Sequence, residues 1–471
     1  MASVSIPETD SLSSQPSLTD RVIIAGAGPV GLFLALKLAK FGINVDLFER
    51  QPDIDDAPRA AGYYGGAIFA LKDAGLLHLA AQRGYIAKAL GWRATVQDDG
   101  EGGKTWGRLL CHIPFEQGSV ERPELGMLLL PQPKLCKLMK EQLQALDSGG
   151  RVVFHFNAEL TGIHDDGDGV TVTARHPETG VESSLYGSLF VGADGAKSTA
   201  RDLLGIQLQG HTWPERMIAA DVMVHNMDLP PVVHAHFVVH PVHFAMVIPL
   251  EEPFEGKTTL WRFSMATDPS DNSSDEELLQ EKNLTRMFEH YIVGPKSSQY
   301  EVLRKTVYRL HQRLANTMAT GRCALTGDAA HLNNPVGALG LTTGLLDSET
   351  LAATIKMILH EGKPLSLLNL YSDERRKVFQ TFVSPTSTAN KLRIQQDPTA
   401  ANNDWLVRSL KKPTPAVLHE FFTPYMTVWR TDMRVVVASQ EASKTTSHEM
   451  SHGGSKAEVQ AEVTHLEQLV R

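Results

Sequence analysis

Short runs of apolar residues, each closed by a glycine, recur at three widely separated places in the chain. They are Val22–Ala25, Leu189–Gly192 and Cys323–Thr326, and each leads into a turn and then a helical pattern. Buried strands of a parallel sheet are covered on both faces and therefore have this uninterrupted apolar pattern. The three runs predict one α/β domain whose strands come from distant parts of the chain.

The middle of the chain has a different pattern. Met217–Met227, Val232–Leu250 and Thr258–Ala266 mix β-branched, aromatic and histidine residues in strand-length runs bounded by proline and glycine. This pattern predicts an antiparallel sheet inserted between the second and third parallel strands. A helix is predicted over Ser274–Tyr291, because Ser-Asp-Glu-Glu is a favourable first turn. A second helical stretch is expected from Leu367 to about Ser439.

Composition narrows the class of protein. The net charge of −9 disfavours a nucleic-acid partner, which would need a basic face. Cys111, Cys136 and Cys323 are too far apart for a disulfide framework or a zinc site, so a reducing, cytoplasmic compartment is expected. The longest apolar stretch, Val22–Leu36, is interrupted by glycines and Pro29, and we expect no membrane span. The sequence does not define the oligomeric state.

The first apolar run continues into Gly26-Ala-Gly28-Pro-Val-Gly31 and a helical pattern. In a dinucleotide-binding turn the first glycine permits the tight bend, the second admits a pyrophosphate, and the third packs helix on strand. Glu49 ends the next predicted strand, where an acidic residue suits a ribose hydroxyl. The strand, the helix and the acid together predict a Rossmann-like nucleotide site. The motif is shared by FAD and NAD sites and does not distinguish them.

Two later motifs narrow the choice of cofactor. The second apolar run ends in Asp194-Gly195 before a helix start, and the third ends in Gly327-Asp328. A loop rich in proline and glycine, 334–340, then precedes a helix predicted over Thr342–Leu359. In order and spacing these segments resemble the class A FAD-dependent monooxygenases, the aromatic hydroxylase family that includes p-hydroxybenzoate and phenol hydroxylases. The resemblance spans roughly 21–376.

The resemblance implies an α/β fold: a Rossmann-like FAD-binding domain, an inserted antiparallel β-sheet substrate domain and a C-terminal helical segment. Asp328 would bind the ribityl chain, Arg59 would lie near the FAD phosphates, and Gln132 would contact the flavin. For Arg59 a solvated charge, and for Gln132 an ordinary helix N-terminal residue, remain open alternatives. The implied cofactor-binding residues are Gly26, Gly28, Gly31, Glu49, Arg59, Gln132, Asp194, Asp328, Pro335, Gly337, Gly340 and Leu341.

The domain boundaries follow from these patterns. Residues 1–20 lack the apolar region of a secretory signal and are expected to be a disordered arm. The remaining ranges are 21–205 and 315–366 for the FAD-binding domain, 206–314 for the β-rich substrate domain, 367–440 for the C-terminal helical segment, and 441–471 for a flexible tail.

The loop and the helix after it depart from the family pattern at three positions. Ala338 and Leu339 stand where the family usually has glycine and glutamine, and Thr342 stands where it usually has asparagine. Backbone amides make most contacts to a flavin in such a loop, so we expect the cofactor to be retained. The polarity over the ring, and with it the substrate preference, is expected to differ.

The family chemistry implies that NAD(P)H acts as a transient co-substrate and reduces FAD. O2 then forms a flavin C4a-hydroperoxide, which hydroxylates or epoxidises a bulky aromatic or polycyclic small molecule. Baeyer–Villiger oxygen insertion remains an alternative. A flavin dehydrogenase without oxygen transfer and a non-catalytic binding protein on the same scaffold remain alternatives as well. The lack of a second Gly-x-Gly-x-x-Gly after a strand argues against a separate NADPH-binding domain.

The sequence defines no catalytic acid or base. Tyr64 is a candidate donor to a substrate oxygen, with packing as its alternative, and His236 is a candidate proton acceptor. A metal site is not expected among His234, His236, His240 and His243. No acidic or cysteine residue is interleaved, and strand alternation puts His234 and His236 on the opposite face from His243. Candidate pocket-lining residues in the middle sheet are Met217, His236, Phe244, Met246, Pro249 and Trp261.

Overall fold

The computed structural model of the protein describes residues 21–56, 59–101, 103–115, 118–146, 151–225, 228–293 and 300–451. The predicted arm, 1–20, and the part of the predicted tail from 452 onward lie outside the described residues. So does the end of the strand predicted over Met217–Met227.

The strands are β1 (Arg21–Ala25), β2 (Asn44–Phe48), β3 (Gly62–Tyr63), β4 (Tyr85–Ala87), β5 (Ala89–Ala94), β6 (Gln97–Asp98), β7 (Lys104–Thr105), β8 (Leu109–Pro114), β9 (Met127–Leu129), β10 (Val152–His155), β11 (Glu159–Asp165), β12 (Val170–Arg175), β13 (Glu182–Gly187), β14 (Leu189–Gly192), β15 (Leu208–Val224), β16 (Ala235–Val239), β17 (Ala245–Pro249), β18 (Thr259–Ala266), β19 (Tyr300–Ala315), β20 (Ala319–Thr320), β21 (Cys323–Leu325) and β22 (His331–Leu332).

The helices are α1 (Pro29–Lys40), α2 (Gly66–Asp73), α3 (Leu77–Arg83), α4 (Gln132–Leu146), α5 (Thr199–Leu203), α6 (Asp275–Leu278), α7 (Glu281–Phe288), α8 (Leu339–Glu361), α9 (Leu367–Val378), α10 (Ser384–Ile394), α11 (Trp405–Leu410), α12 (Pro415–Thr427) and α13 (Met433–Ser451). A π-helical turn, Phe379–Val383, joins α9 to α10.

The three apolar runs predicted as parallel strands lie side by side in one sheet. Its order is β10-β2-β1-β14-β21-β20, and every pair except β20–β21 is parallel. The carboxyl ends of β1, β2, β14 and β21 therefore meet at one edge. Ligands of open α/β sheets bind in the crevice outside such strand ends. The predicted fold class is confirmed by this arrangement.

The middle of the chain builds most of an eight-stranded sheet, ordered β22-β19-β15-β18-β17-β16-β5-β8. All of its pairs are antiparallel except β16–β5, which is parallel. Strands β5 and β8 come from 89–114, far before the segment 206–314. The sheet therefore draws on more of the chain than that segment, and the domain boundaries themselves stay a prediction.

Two faces of this sheet pack differently. One face carries Phe237 and joins the main core that surrounds the parallel sheet, whereas the other carries Trp261 and Phe263 under α7. The single helix predicted over Ser274–Tyr291 is wrong, because α6 and α7 are separate. Gln280 between them is extended, and the Asn283 amide donates to the Glu277 carbonyl at 2.6 Å, which caps the end of α6.

The C-terminal part is helical, as predicted. α8 starts at Leu339, before the predicted Thr342, and ends at Gly362 in the left-handed conformation (φ 66°). α13 continues past residue 440, the predicted end of the helical segment. Beyond that point, Lys363 Nζ donates to Glu441 Oε1 of α13 at 3.0 Å. Across the described ranges, no helix is both long and apolar enough to span a membrane.

Candidate active site

The carboxyl ends of neighbouring strands in the parallel sheet are held together by backbone hydrogen bonds of 2.7–3.0 Å. The pairs are Gly26 N with Phe48 O, Ala193 N with Ala25 O, and Thr326 N with Gly192 O. The motifs that follow these strands are therefore adjacent in space, although they are far apart in the chain. The structure brings together the segments that contain Gly26, Glu49, Asp194 and Asp328.

The glycines of the first turn have three different environments. Gly26 has a φ of 107°, and a Cβ there would lie 2.5 Å from the Ala193 carbonyl oxygen. A Cβ on Gly31 would lie 2.0 Å from the Gly26 carbonyl oxygen. Gly28, the residue before α1, has open space where its Cβ would be. A ligand can therefore approach the backbone at Gly28, next to the positive end of α1.

Glu49 lies beside this turn. Its Oε2 accepts a hydrogen bond from the Ala27 amide at 2.9 Å, and its Oε1 accepts from the Gln51 amide at 3.0 Å. The two amides fix the carboxylate next to the glycine turn, and the side chain remains half-buried. An acceptor in this place is suited to a sugar hydroxyl.

Asp194 is bonded within its own loop. Its carboxylate accepts from Ser198 Oγ at 2.5 Å and from the Ala200 amide at 2.9 Å. Ser198 in turn accepts from the Arg201 amide at 2.9 Å and caps α5. Asp194 therefore shapes the turn after β14, and its oxygens already have protein donors.

Asp328 is in the opposite situation. Its side chain is accessible to solvent at the surface. The surrounding protein nevertheless desolvates the carboxylate and raises its pKa above the ordinary value, while His331 and Arg59 act to lower that pKa. Among the described residues, none donates a hydrogen bond to this carboxylate. The adjacent Gly327 packs on Val30 of α1. Among the described residues, Asp328 is thus an acceptor without a donor, and it follows β21 in the sheet that also contains β1.

The loop before α8 also has an unusual backbone. Gly337 and Ala338 have positive φ angles of 99° and 53°. A Cβ on Gly337 would lie 2.6 Å from Asn390 Nδ2, so a larger residue would displace that amide. Pro335, Gly340 and Leu341 are half-buried around this loop. The left-handed conformation at Ala338 costs roughly 1 kcal/mol, because its Cβ crowds the carbonyl.

Arg59 and Gln132 lie near each other but apart from these bonds. The backbone N–H of Gln132 donates to the Ala60 carbonyl oxygen at 2.9 Å, and Gln132 is the first residue of α4. The Arg59 side chain is 60% exposed and lies 3.4 Å from Asp55. Its carbonyl oxygen accepts from Arg262. In the described part of the chain, neither side chain hydrogen-bonds to the glycine turn.

A pocket opens against the same loop. The space between its walls is about 390 Å³, including the part that is open to solvent. Twelve residues line it: Tyr64, Leu90, Trp92, Ile113, Phe115, Phe237, Val336, Gly337, Asn390, Phe421, Phe422 and Tyr425. The walls are thus mainly aromatic, as is usual for a site that binds an apolar ring.

The polar groups of the pocket form one hydrogen-bonded chain. The Tyr64 hydroxyl donates to the Gly337 carbonyl, which can only accept. Tyr64 and Tyr425 are hydrogen-bonded to each other, and Tyr425 to Asn390. Arg393 donates to the Asn390 oxygen at 2.7 Å, which leaves the Asn390 amide nitrogen to face Tyr425. Burial raises the pKa of both tyrosines, so their hydroxyls stay protonated at neutral pH.

The predicted pocket residues of the middle sheet lie elsewhere. His236 and Trp261 belong to the face opposite Phe237, because alternate residues of a strand point to opposite sides. Met217, Phe244, Met246 and Pro249 are likewise absent from the lining. The sheet contributes Leu90, Trp92, Ile113 and Phe237 in their place, and Phe115 directly follows β8. Of the two predicted catalytic candidates, Tyr64 lines the pocket and His236 does not.

His236 has a separate environment. Its Nδ1 lies 2.8 Å from the His234 carbonyl oxygen, and its ring meets Trp106 edge-on at 5.5 Å. Its Nε2 is buried without a hydrogen-bond partner in the described structure. Burial, with a smaller effect of Arg93, lowers the pKa of His236 to about 3. The imidazole is therefore neutral and lies outside the pocket.

Three other histidines stack at the end of the sheet. The ring of His243 lies 5.1 Å from that of His240 and 4.5 Å from that of His290. Burial lowers the pKa of each, and neighbouring imidazoles lower it further for His240 and His290. Within the described ranges, no group of three or more His, Cys, Asp or Glu side chains is placed to hold a metal ion.

Sequence reasoning missed the contribution of the C-terminal helices to the pocket. Asn390, Phe421, Phe422 and Tyr425 all lie beyond residue 384, where the sequence matched no motif. The spacing of Phe421, Phe422 and Tyr425 places them on one helical face, which was the available signal. It predicts an apolar face but does not identify the surface that the face covers.

The strand-end residues fit an FAD molecule. Gly28 leaves its backbone open, and Glu49 is an oriented acceptor. Asp328 is an exposed acceptor to which no described residue donates, and Gly337 brings backbone to the edge of an aromatic pocket. The fold and this site define a dinucleotide-binding flavoprotein with an adjoining pocket for an aromatic ring.

Comparison with known proteins agrees with this class. The FAD binding domain family model matches residues 19–386. Para-nitrophenol 4-monooxygenase of a Pseudomonas species is 35% identical over 372 residues, which is 79% of this chain and 86% of that protein. 6-Hydroxy-3-succinoylpyridine 3-monooxygenase of Pseudomonas putida is 31% identical over 84% of this chain and 95% of that protein. The chain belongs to the FAD-dependent aromatic hydroxylase family and is a monooxygenase-type oxidoreductase.

Solved structures give the same result. p-Nitrophenol 4-monooxygenase from Pseudomonas putida superposes with a TM-score of 0.74 at 32% identity, over 86% of this chain and 97% of that one. Aklavinone-11 hydroxylase, solved with FAD and aklavinone, superposes with a TM-score of 0.69 over 86% of this chain and 73% of that one. At 22% identity, the second likeness is one of fold alone.

Proposed function

We propose that the protein hydroxylates a single-ring phenol, using FAD as cofactor and NAD(P)H and O2 as co-substrates. The observation that carries the proposal is the aromatic pocket, whose polar groups are the hydroxyls of Tyr64 and Tyr425 and the amide of Asn390. Two relatives at 35% and 31% identity are named for p-nitrophenol and 6-hydroxy-3-succinoylpyridine, each with a single ring, and this supports a single-ring substrate over the polycyclic one expected from the sequence.

The strand-end residues would hold the cofactor. The amides at Gly28 and the positive end of α1 would bind the pyrophosphate, and Glu49 the ribose. Asp328 would accept from a ribityl hydroxyl, and Gly337 would lie beside the ring. Arg59 and Gln132 remain candidates for the phosphates and the flavin edge. FAD, when bound and reduced by NAD(P)H, supplies the activation of O2.

The residues of the pocket would orient the substrate and exclude water. Tyr425 accepts from Asn390, and its hydroxyl lies beside that of Tyr64. A phenol hydroxyl placed against these two groups gains hydrogen bonds that an unsubstituted ring cannot make. Trp92, Phe115 and Phe237 form the walls around the ring. A site built to bind a hydroxyl strongly rejects the analogue that lacks one.

The FAD-loaded protein tests the proposal with 4-nitrophenol, NADH or NADPH, and isotopically labelled O2. Mass spectrometry should find one labelled oxygen atom in the product. Tyr425→Phe should raise KM about tenfold, the value expected for loss of one buried hydrogen bond of about 1.4 kcal/mol, and leave FAD content unchanged. Ser439→Ala, on an exposed part of α13, is the control and should leave both values unchanged.

The same experiment separates the alternatives. Consumption of NAD(P)H with an unlabelled product would indicate a dehydrogenase, and a lactone or ester product from a ketone would indicate Baeyer–Villiger chemistry. Turnover of polycyclic phenols alone would contradict the single-ring assignment. A protein that binds no FAD would contradict the function altogether.

A further inference from the structure

Helix α12 contributes a wall to the pocket from outside the part of the chain that matches the FAD binding domain family. The family match ends at residue 386, whereas α12 spans Pro415–Thr427. Phe421, Phe422 and Tyr425 line the pocket, while Met426 on the same helix is 37% exposed. The pocket therefore has one wall that the matched domain does not supply.

The two sides of the pocket are held in different ways. Trp92 and Phe237 belong to β5 and β16, where backbone hydrogen bonds between paired strands fix their positions. α12 is placed by side-chain packing. The ring of Phe422 packs against those of Phe115 and Phe421, with centroid distances of 6.1 Å and 5.0 Å. The sheet side is thus a fixed wall, and the α12 side sets the remaining width.

Polar contacts of α12 with the body of the protein converge on Tyr425. Its hydroxyl is hydrogen-bonded to Tyr64 and Asn390, and its ring meets Trp429 at 5.6 Å and Phe382 at 5.2 Å. In contrast, Phe421 and Phe422 line the pocket without a polar group and are only half-buried. Truncating either one would enlarge the pocket without removing the hydroxyl-binding groups.

We propose that α12 determines substrate size, with Phe421 and Phe422 admitting a single phenol ring and excluding fused rings. This inference rests on the function proposed above. Aromatic side chains that fill part of a pocket exclude a larger ligand sterically, and their removal leaves apolar space that a second ring can occupy. Tyr425 keeps its role as a partner of the substrate hydroxyl.

The test compares the binding of 4-nitrophenol and 2-naphthol to the FAD-loaded protein, measured by the change in flavin absorbance without turnover. Phe421→Ala and Phe422→Ala should each shift the ratio of the two Kd values at least tenfold toward 2-naphthol, with FAD content unchanged. Met426→Ala, on the exposed side of the same helix, should leave the ratio unchanged.

Phe422→Leu keeps most of the apolar volume and should shift the ratio in the same direction by a smaller factor. If an alanine variant does not fold, the Kd ratio of Phe422→Leu tests the inference in its place. Ratios within twofold of the parent in the folded Phe421 and Phe422 variants would overturn the inference. A parent protein that binds neither phenol would instead overturn the proposed function, so the two failures are distinguishable.

Discussion

The carboxylate of Asp347 lies 2.6 Å from Arg375 Nε, and both side chains are fully shielded from solvent. The second oxygen of Asp347 lies 2.6 Å from His331 Nε2 and 3.3 Å from the Gly327 amide. Although burial raises its pKa, the charges of His331 and Arg375 hold the pKa of Asp347 below its ordinary value. This carboxylate therefore fixes the backbone next to Asp328.

Asp347→Ala should destabilise the protein by about 3–5 kcal/mol, because it leaves a buried guanidinium without its counter-charge. Urea unfolding at neutral pH measures the loss. Glu141→Ala, which breaks the exposed ion pair with Arg83, should cost less than about 1 kcal/mol. Similar losses of unfolding free energy in the two variants would contradict the role of Asp347 as the counter-charge of the buried Arg375.

Asp328→Ala should weaken FAD binding at least tenfold with little effect on the stability of the cofactor-free protein. The reason is that no described residue donates to this carboxylate, so the fold loses no hydrogen bond. Flavin fluorescence titration and thermal unfolding measure the two effects. Glu178→Ala, an exposed carboxylate in the turn between β12 and β13, is the control. An unchanged Kd for FAD in the Asp328 variant would remove this residue from the cofactor site.

Two glycine substitutions should affect different properties, one the affinity for FAD and the other the stability of the fold. Gly28→Ala meets no atom within 4 Å and keeps an ordinary φ of −70°, so the cofactor-free protein should keep its melting temperature and lose FAD affinity. Gly337→Ala forces a Cβ against Asn390 at a φ of 99° and should destabilise the fold by roughly 1–3 kcal/mol. The same two assays measure both variants, and a loss of stability in the Gly28 variant would contradict the open approach at that turn.

Burial of His236 should contribute to acid sensitivity. An unfolded histidine binds a proton near pH 6.5, whereas His236 in the fold stays neutral until about pH 3. The unfolded state therefore binds more protons between these values, and stability falls as the pH falls. At pH 5 the contribution is about 2 kcal/mol relative to pH 7.5. His236→Leu should reduce this difference in urea stability, and parallel pH profiles for the two proteins would refute it.

The strand-end motifs were predictable because each is local. A buried strand followed at once by Gly26, Asp194 or Asp328 specifies both the strand and the chemistry at its end. Their convergence followed from the geometry of a parallel sheet. The sequence did not separate the role of Asp194, bonded within its own loop, from that of Asp328, to which no residue of the described ranges donates.

The pocket was less predictable because its walls depend on tertiary packing. Strand alternation predicts two faces for β16, but it does not say whether His236 or Phe237 faces the ligand. The aromatic face of α12 was readable as a pattern, but its partner surface, β5 and β8, is more than three hundred residues away in the chain. The break between α6 and α7 lies at the extended Gln280, beside the Asn283 cap, and the helical pattern of the sequence runs through it without a signal.

The parallel pairing of β16 with β5 joins two distant parts of the chain within the eight-stranded sheet. One edge of the eight-stranded sheet is made of chain that precedes β14, so neither layer can be completed from a continuous stretch of sequence. Contacts of such long sequence separation carry a high loop-closure entropy and form late. The nucleotide layer and the pocket layer should therefore unfold in one cooperative transition, and a fragment limited to 206–314 should not fold alone.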